Sequence, residues 1–158
     1  MNKPLCVVSC PIDTFSGYGA RSRDFVRSLI KEKGEEWDIK IIPQRWGDCP
    51  WNFLKDNDPL KQRFISGQMN QQPDIWFQIT VPNEFQPIGK YNVGVTAGIE
   101  TTMFPGEFIE GMNRMNLNLV SSEHSKKVAQ ATQFEKKNAQ GQVVGVVKCE
   151  RPVEVLFE

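Results

Sequence analysis

Short, unbroken apolar runs separated by helical stripes constrain the fold of this chain more than any other feature. The runs fall at Leu5–Cys10, 38–42, 74–80, 91–96, 117–121 and 153–157. A strand that is apolar throughout, rather than at alternate positions, is buried on both faces, as in a parallel sheet. Helical patterns lie between several of the runs. Ser22, Phe25, Val26, Leu29 and Ile30 recur at helical spacing, and Gly34 stops that helix. Asp58 followed by Pro59 reads as a cap and first turn, with Leu60, Phe64 and Ile65 as the inward stripe. Phe104, Phe108, Ile109, Met112 and Met115 form another apolar face, begun by Pro105, and Ser122 caps a helix from about Glu123 to Phe134.

Strand and helix in alternation predict an α/β fold with helices on both sides of the sheet. Right-handed crossovers make this a Rossmann-like, doubly wound, mostly parallel sheet in three αβα layers. At 158 residues the whole chain, 1–158, reads as one domain. Two stretches break the rhythm: residues 43–58, a long connection rich in Trp, and residues 135–152, which suit a small hairpin around Gly141.

Lys and Arg total 19, as do Asp and Glu, so no bulk positive field draws nucleic acid or an anionic membrane. No apolar stretch approaches the roughly 20 residues of a membrane span. Cys6 and Cys10 would share one face of a strand about 13 Å apart, too far to bridge. With no C-x-x-C pair and no His near a cysteine pair, neither a disulfide nor a metal site is expected, and a reducing, cytoplasmic setting follows.

In such sheets ligands bind beyond the carboxyl ends of the strands. The stretch "TFSGYGARSRDF" begins just past the first strand. Gly17 and Gly19 there would let the backbone approach a ligand and present amides to an anion at a helix start. The alternative is a plain flexible turn, with Arg21 and Arg23 as solvated first-turn residues. A dinucleotide fingerprint needs a third glycine where Ser22 stands, and the second strand ends in "PQRW" rather than in a ribose-binding acid, so NAD(P) is disfavoured. Trp76 and Phe77 fall in a strand and read as core. Trp46, Trp51 and Phe53 fall in the long loop, where they either stack on a sugar ring or pack onto their own domain.

The stretch "VGVTAGIETTMFPGEFIEGMNRMNLNLVSSEHSKKV" (93–128) carries a strand, a loop with Gly98, Glu100 and two threonines, a helix, a strand ending in Ser-Ser-Glu, and a capped helix. With the Gly17–Gly19 turn, this order resembles the N-terminal, acceptor-side domain of GT-B glycosyltransferases, group 1-like. That domain has a glycine loop after its first strand, an acidic segment after its fourth and a Ser-Glu after its fifth. The closing "RPVEVLFE" is similar to the strand that leads those enzymes toward the interdomain hinge.

The resemblance implies a hexosyltransferase-type enzyme moving a sugar from a nucleotide-sugar donor to an acceptor hydroxyl, with no cofactor beyond that co-substrate and no metal. It implies Glu100 as the catalytic candidate, positioning the acceptor hydroxyl. Gly17, Tyr18, Gly19, Arg21, Thr96, Thr101, Ser122, Glu123 and His124 are the implied substrate-binding set. No His lies between Thr96 and Glu107, where many members carry one. In GT-B enzymes the donor is held mainly by a second, C-terminal domain that these 158 residues do not include, so the chain alone is expected to be inactive. The bland readings are an exposed loop acid for Glu100, a surface residue for His124 and helix caps for Ser121 and Ser122. A stand-alone nucleotide- or protein-binding module without catalysis is the alternative.

Overall fold

The computed structural model describes residues 3–44, 50–65, 69, 71–96, 106–137 and 139–156. Along the chain run β1 (Leu5–Cys10), α1 (Gly17–Lys33), β2 (Asp38–Pro43), β3 (Ile75–Ile79), β4 (Tyr91–Val95), α2 (Gly106–Asn113), β5 (Leu117–Val120), α3 (Glu123–Ala131), β6 (Gln133–Lys137), β7 (Val143–Lys148) and β8 (Val153–Val155). The main sheet has six strands in the order β2-β1-β3-β4-β5-β8, and every pairing with a described register is parallel. The fold is therefore α/β and Rossmann-like, as the apolar runs predict. The strand order reverses at β1, with β2 on one side and β3 on the other. The chain divides into two compact units, residues 1–80 with 87–92, and residues 81–86 with 93–158.

In the first unit β1 lies between β2 and β3. Cys6, Val7, Val8 and Cys10 are fully buried, which is the physical reason this strand reads as a continuous apolar run. Ile39 and Ile41 of β2 and Trp76 of β3 belong to the same core, and the ring of Phe25 on α1 meets that of Phe77 edge to face, 5.3 Å between centroids. Gly34 closes α1 by donating to the Ile30 carbonyl at 2.8 Å, and Lys31 and Lys33 in the last turn face the negative end of its dipole.

The helix expected after Asp58 is only a short 3-10 turn, Pro59–Arg63. Asp58 does cap it, its Oδ1 accepting from the Leu60 amide at 2.9 Å. Phe64 then turns extended and bridges Ile41, and the Ile65 amide donates to the Ile41 carbonyl at 2.9 Å. A sheet edge next to β2 satisfies the backbone that a longer helix would have paired internally.

In the second unit β5 pairs with β4 on one side and β8 on the other. Ile109, Met112 and Met115 are fully buried, in keeping with the apolar face foreseen for α2, while Phe104 and Pro105 lie outside the described residues. Gly111 backs directly onto the Pro82 carbonyl, and any side chain there would strike it. Arg114 ties the same segment down, donating from Nε to the Phe85 carbonyl at 2.8 Å and from Nη2 to the Asn83 carbonyl at 3.0 Å. Helix α3 stops at Ala131, three residues before the expected Phe134. Thr132 donates to the Val128 carbonyl through both its amide, at 3.0 Å, and its hydroxyl, at 2.7 Å, and the chain leaves as strand. The hairpin around Gly141 (φ 80°) forms from β6 and β7 and begins at Gln133, earlier than the expected 135.

Cys6, Cys10 and Cys149 are free thiols. Burial pushes both Cys6 and Cys10 up to about 12, which leaves them inert as nucleophiles. Cys49 lies outside the described residues. No helix among the described residues is long and apolar enough to cross a membrane.

Asp74 fastens the start of β1. Its Oδ2 accepts from the Leu5 amide at 2.9 Å and its Oδ1 pairs with Lys90 at 3.2 Å. The amide bond first, then Lys90, hold the carboxyl below its ordinary 3.8. A folded value below the unfolded one gives stability that is complete at neutral pH and is lost as pH falls through the folded value. Asp74→Asn should therefore melt below the parent at pH 7, with the gap closing as pH drops below 3.8. Melting curves from pH 7 downward check this, and a gap that does not change with pH would contradict it.

Candidate functional site at the end of β1

Open α/β sheets present ligands with a crevice where strand order reverses, outside the carboxyl ends of the strands. Here the reversal lies between β1 and β3, and the turn leaving β1 is built in unusual detail. Residues 11–14 are buried, and the chain surfaces at Phe15 before entering α1. Thr14 Oγ1 bonds the Pro11 carbonyl and the Ser16 hydroxyl, both at 2.8 Å. Ser16 Oγ accepts from the Gly19 amide at 2.9 Å and so caps α1.

The two glycines do different things. Gly19 is buried against the Pro11 and Thr14 carbonyls and the Thr14 hydroxyl, with no room for a Cβ. Its amide belongs to Ser16. Gly17 is exposed, with open space where a side chain would be, and it is the backbone of the pair that a ligand can approach.

Arg23 is the largest departure from the sequence reading. Expected in a solvated first turn, it is 6% exposed. Its Nη1 donates to the Ile12 carbonyl at 2.9 Å and the Thr14 carbonyl at 2.8 Å. Its guanidinium carbon sits 3.6 Å from the centroid of the Phe53 ring. It forms no ion pair among the described residues, and burial, ahead of the neighbouring Arg27, pulls its pKa down from 12.5. A buried cation is costly unless its donors are used, and here carbonyls and an aromatic face take the place of a carboxylate. The signal was present in the sequence: Gly19, Arg23, Val26 and Ile30 fall on one stripe of α1, so Arg23 shares the side that carries Val26.

Asp13 performs the complementary task. Its Oδ1 accepts from the Leu54 amide at 2.7 Å and its carbonyl from the Phe53 amide at 3.0 Å. The Phe15 amide donates to the Pro50 carbonyl at 2.8 Å, and Thr14 bridges Trp51 in antiparallel fashion. Residues 50–54 are thereby clamped onto the β1 turn. Asn52, at φ 65°, is the non-glycine with a left-handed backbone among the described residues, a conformation Asn tolerates better than most. The result is an exposed aromatic cluster: Phe15 is 55% exposed, Trp51 51% and Phe53 42%. The Phe15 and Phe53 rings meet edge to face at 5.0 Å. Of the aromatics in this loop, Phe53 packs onto its own domain through Arg23 while keeping part of its surface open. Trp46 lies outside the described residues.

Gln44 reaches back toward β1, its Nε2 donating to the Ser9 hydroxyl at 2.8 Å. Tyr18 and Arg21 are half-buried in the first turns of α1. In the second unit Thr96 is buried at the end of β4, its amide donating to the Leu119 carbonyl at 3.0 Å. Ser122 caps α3, its Oγ accepting from the Ser125 amide at 3.1 Å. Glu123 and His124 are exposed in that first turn. Glu100 and Thr101 lie outside the described residues. No cluster of three His, Cys, Asp or Glu side chains able to hold a metal ion occurs among the described residues.

The cap at Ser16 joins the turn to α1, so Ser16→Ala should cost about 1 kcal/mol, the usual worth of an N-cap hydroxyl. Urea unfolding measures it, and an unchanged midpoint would show that Thr14 or water takes over the Gly19 amide.

Compared with known proteins, the chain matches no family model, no curated protein and no solved structure.

Proposed function

We propose that the chain is the acceptor-side domain of a nucleotide-sugar-dependent glycosyltransferase. The observation that carries this reading is the order of elements and turns. A glycine-bearing turn links β1 to α1, an acidic Gly-Thr loop follows β4, and a Ser-Glu cap opens α3 after β5, all within an α/β, Rossmann-like fold. In this reading Gly17 offers backbone to the donor diphosphate or the reacting sugar. Glu100 holds the acceptor hydroxyl for attack at the anomeric carbon, a carboxylate being a strong acceptor for a sugar O–H. Ser122 organises the start of α3 so that Glu123 and His124 stand in its first turn.

The exposed rings of Phe15, Trp51 and Phe53 favour a second reading, a binding module that recognises its ligand without chemistry. Activity separates the two.

The test uses the intact gene product with a panel of nucleotide-sugars and mixed hydroxyl acceptors. Release of nucleoside diphosphate together with a glycosylated acceptor is the expected result. Glu100→Gln should lower turnover by roughly a hundredfold with an unchanged melting temperature. No release from any donor would contradict the transferase reading, and full turnover in the variant would remove Glu100 from its role.

A further inference from the structure

We infer that the Phe15–Trp51–Phe53 cluster is a binding platform for an anionic saccharide, a pyranose bearing a carboxylate or a phosphate. The inference takes the saccharide from the transferase reading and takes the charge from this corner alone. Three rings in one clamped corner are large and exposed; among the described residues the other exposed apolar side chains are Ile88, Tyr91 and Leu156, each in a different stretch of the chain, and the two valines Val143 and Val146 of β7. The cluster stands beyond the carboxyl end of β1, at the reversal in strand order, where this type of sheet accepts ligands. Its rings are held in place by hydrogen bonds from both sides: Asp13 on the amides of Phe53 and Leu54, and the Pro50 carbonyl on the amide of Phe15. A platform fixed before the ligand arrives loses less entropy on binding.

The sign of the ligand follows from Arg23. Its guanidinium already occupies one face of Phe53, so the ring's quadrupole is spent on a cation and does not favour a second one. The same guanidinium is buried against a ring that is itself 42% exposed, and it forms no ion pair among the described residues. Two acids lie near enough to act on Arg23: Asp24, its neighbour in sequence, is exposed on α1, and Asp13 is buried and committed to Leu54. Helix α1 adds its positive end at Gly17, and its first turn carries no acidic residue. An apolar ring face for the aromatics and a negative group for this field describe a charged pyranose. Arg23 is a positioning residue in this arrangement, acting through Phe53 and the turn carbonyls.

Amide NMR shifts of the full chain titrated with trigalacturonate, glucose 6-phosphate and maltotriose test the inference without any donor or transfer. The expected result is saturable shifts at Phe15, Trp51 and Phe53 with trigalacturonate or glucose 6-phosphate. The acid that binds identifies carboxylate or phosphate as the recognised group. Maltotriose should bind about tenfold more weakly. Trp51→Ala should weaken the charged ligand by about tenfold while core amides keep their positions. Raising salt from about 0.05 M to about 0.5 M should weaken it further. Arg23→Lys, which keeps the charge but not the planar stack, should narrow the preference for the charged sugar, a change that loss of packing alone would not produce.

No shifts with any sugar would overturn the inference, as would equal affinity for maltotriose or unchanged binding in Trp51→Ala. So would a dimer in light scattering that Trp51→Ala turns into monomer, since the rings would then be a contact between copies. Absence of diphosphate release leaves these shifts standing as a sugar-binding site, and absence of shifts leaves transfer activity untouched, so the two readings fail separately.

Discussion

A guanidinium buried without a carboxylate organises the most elaborate part of this protein. Arg23 draws the carbonyls of Ile12 and Thr14 toward α1 and presses its plane against Phe53, so three segments distant in sequence meet at one group. Hydrogen bonds to a charged donor are worth roughly 1.5–3 kcal/mol each, and they offset the desolvation that lowers the pKa of Arg23. Without that group the carbonyls at the end of β1 would be buried and short of donors. The Phe53 ring would lose its support as well. The placement of Gly17, Phe15 and Trp51 all depends on this one contact.

The corner matters because of where the sheet puts it. A strand buried on both faces has no surface of its own to offer a ligand, so chemistry moves to the turns at its ends. β1 is such a strand, and it stands where strand order reverses. Its exit turn combines an accessible glycine, exposed rings and a buried guanidinium beside the positive end of α1. Those three properties suit a ligand with an apolar ring face and negative charge. The Gly19 position shows the opposite demand, since there the absent side chain admits the turn itself rather than a ligand.

The fold was legible from the apolar runs because parallel strands leave little choice of residue. β1 falls where its run was read, and β2 to β5 and β8 differ only at their ends. The caps read at Asp58 and Ser122 were equally legible, since both side chains accept from amides two or three residues on, as their chemistry dictates, whereas the cap at Ser16 emerged only with the structure. What the pattern could not carry was competition from neighbours. Phe64 and Ile65 fit a helical stripe but join β2 instead, and Phe134 fits α3 but begins a hairpin. At the candidate site the glycine turn was visible. The clamp was not, because Phe53 is far in sequence from Asp13 and Arg23, Arg23 fits a solvated first turn, and no local pattern marks Asp13 as a partner for the loop. Only the position of Arg23 on the inward stripe of α1 hinted otherwise.

Hydrogen exchange at single amides of Arg23→Met reaches the central contact most directly. Loss of the guanidinium should expose the Phe15, Phe53 and Leu54 amides together, since all three depend on the loop staying clamped to the turn. The Val7 and Val8 amides, in the middle of the sheet, should stay protected. Continued protection at Leu54 and Phe53 would show that Asp13 holds the loop unaided and that Arg23 is not the keystone. Loss of protection at Val7 and Val8 as well would show that Arg23 stabilises the whole domain rather than this corner.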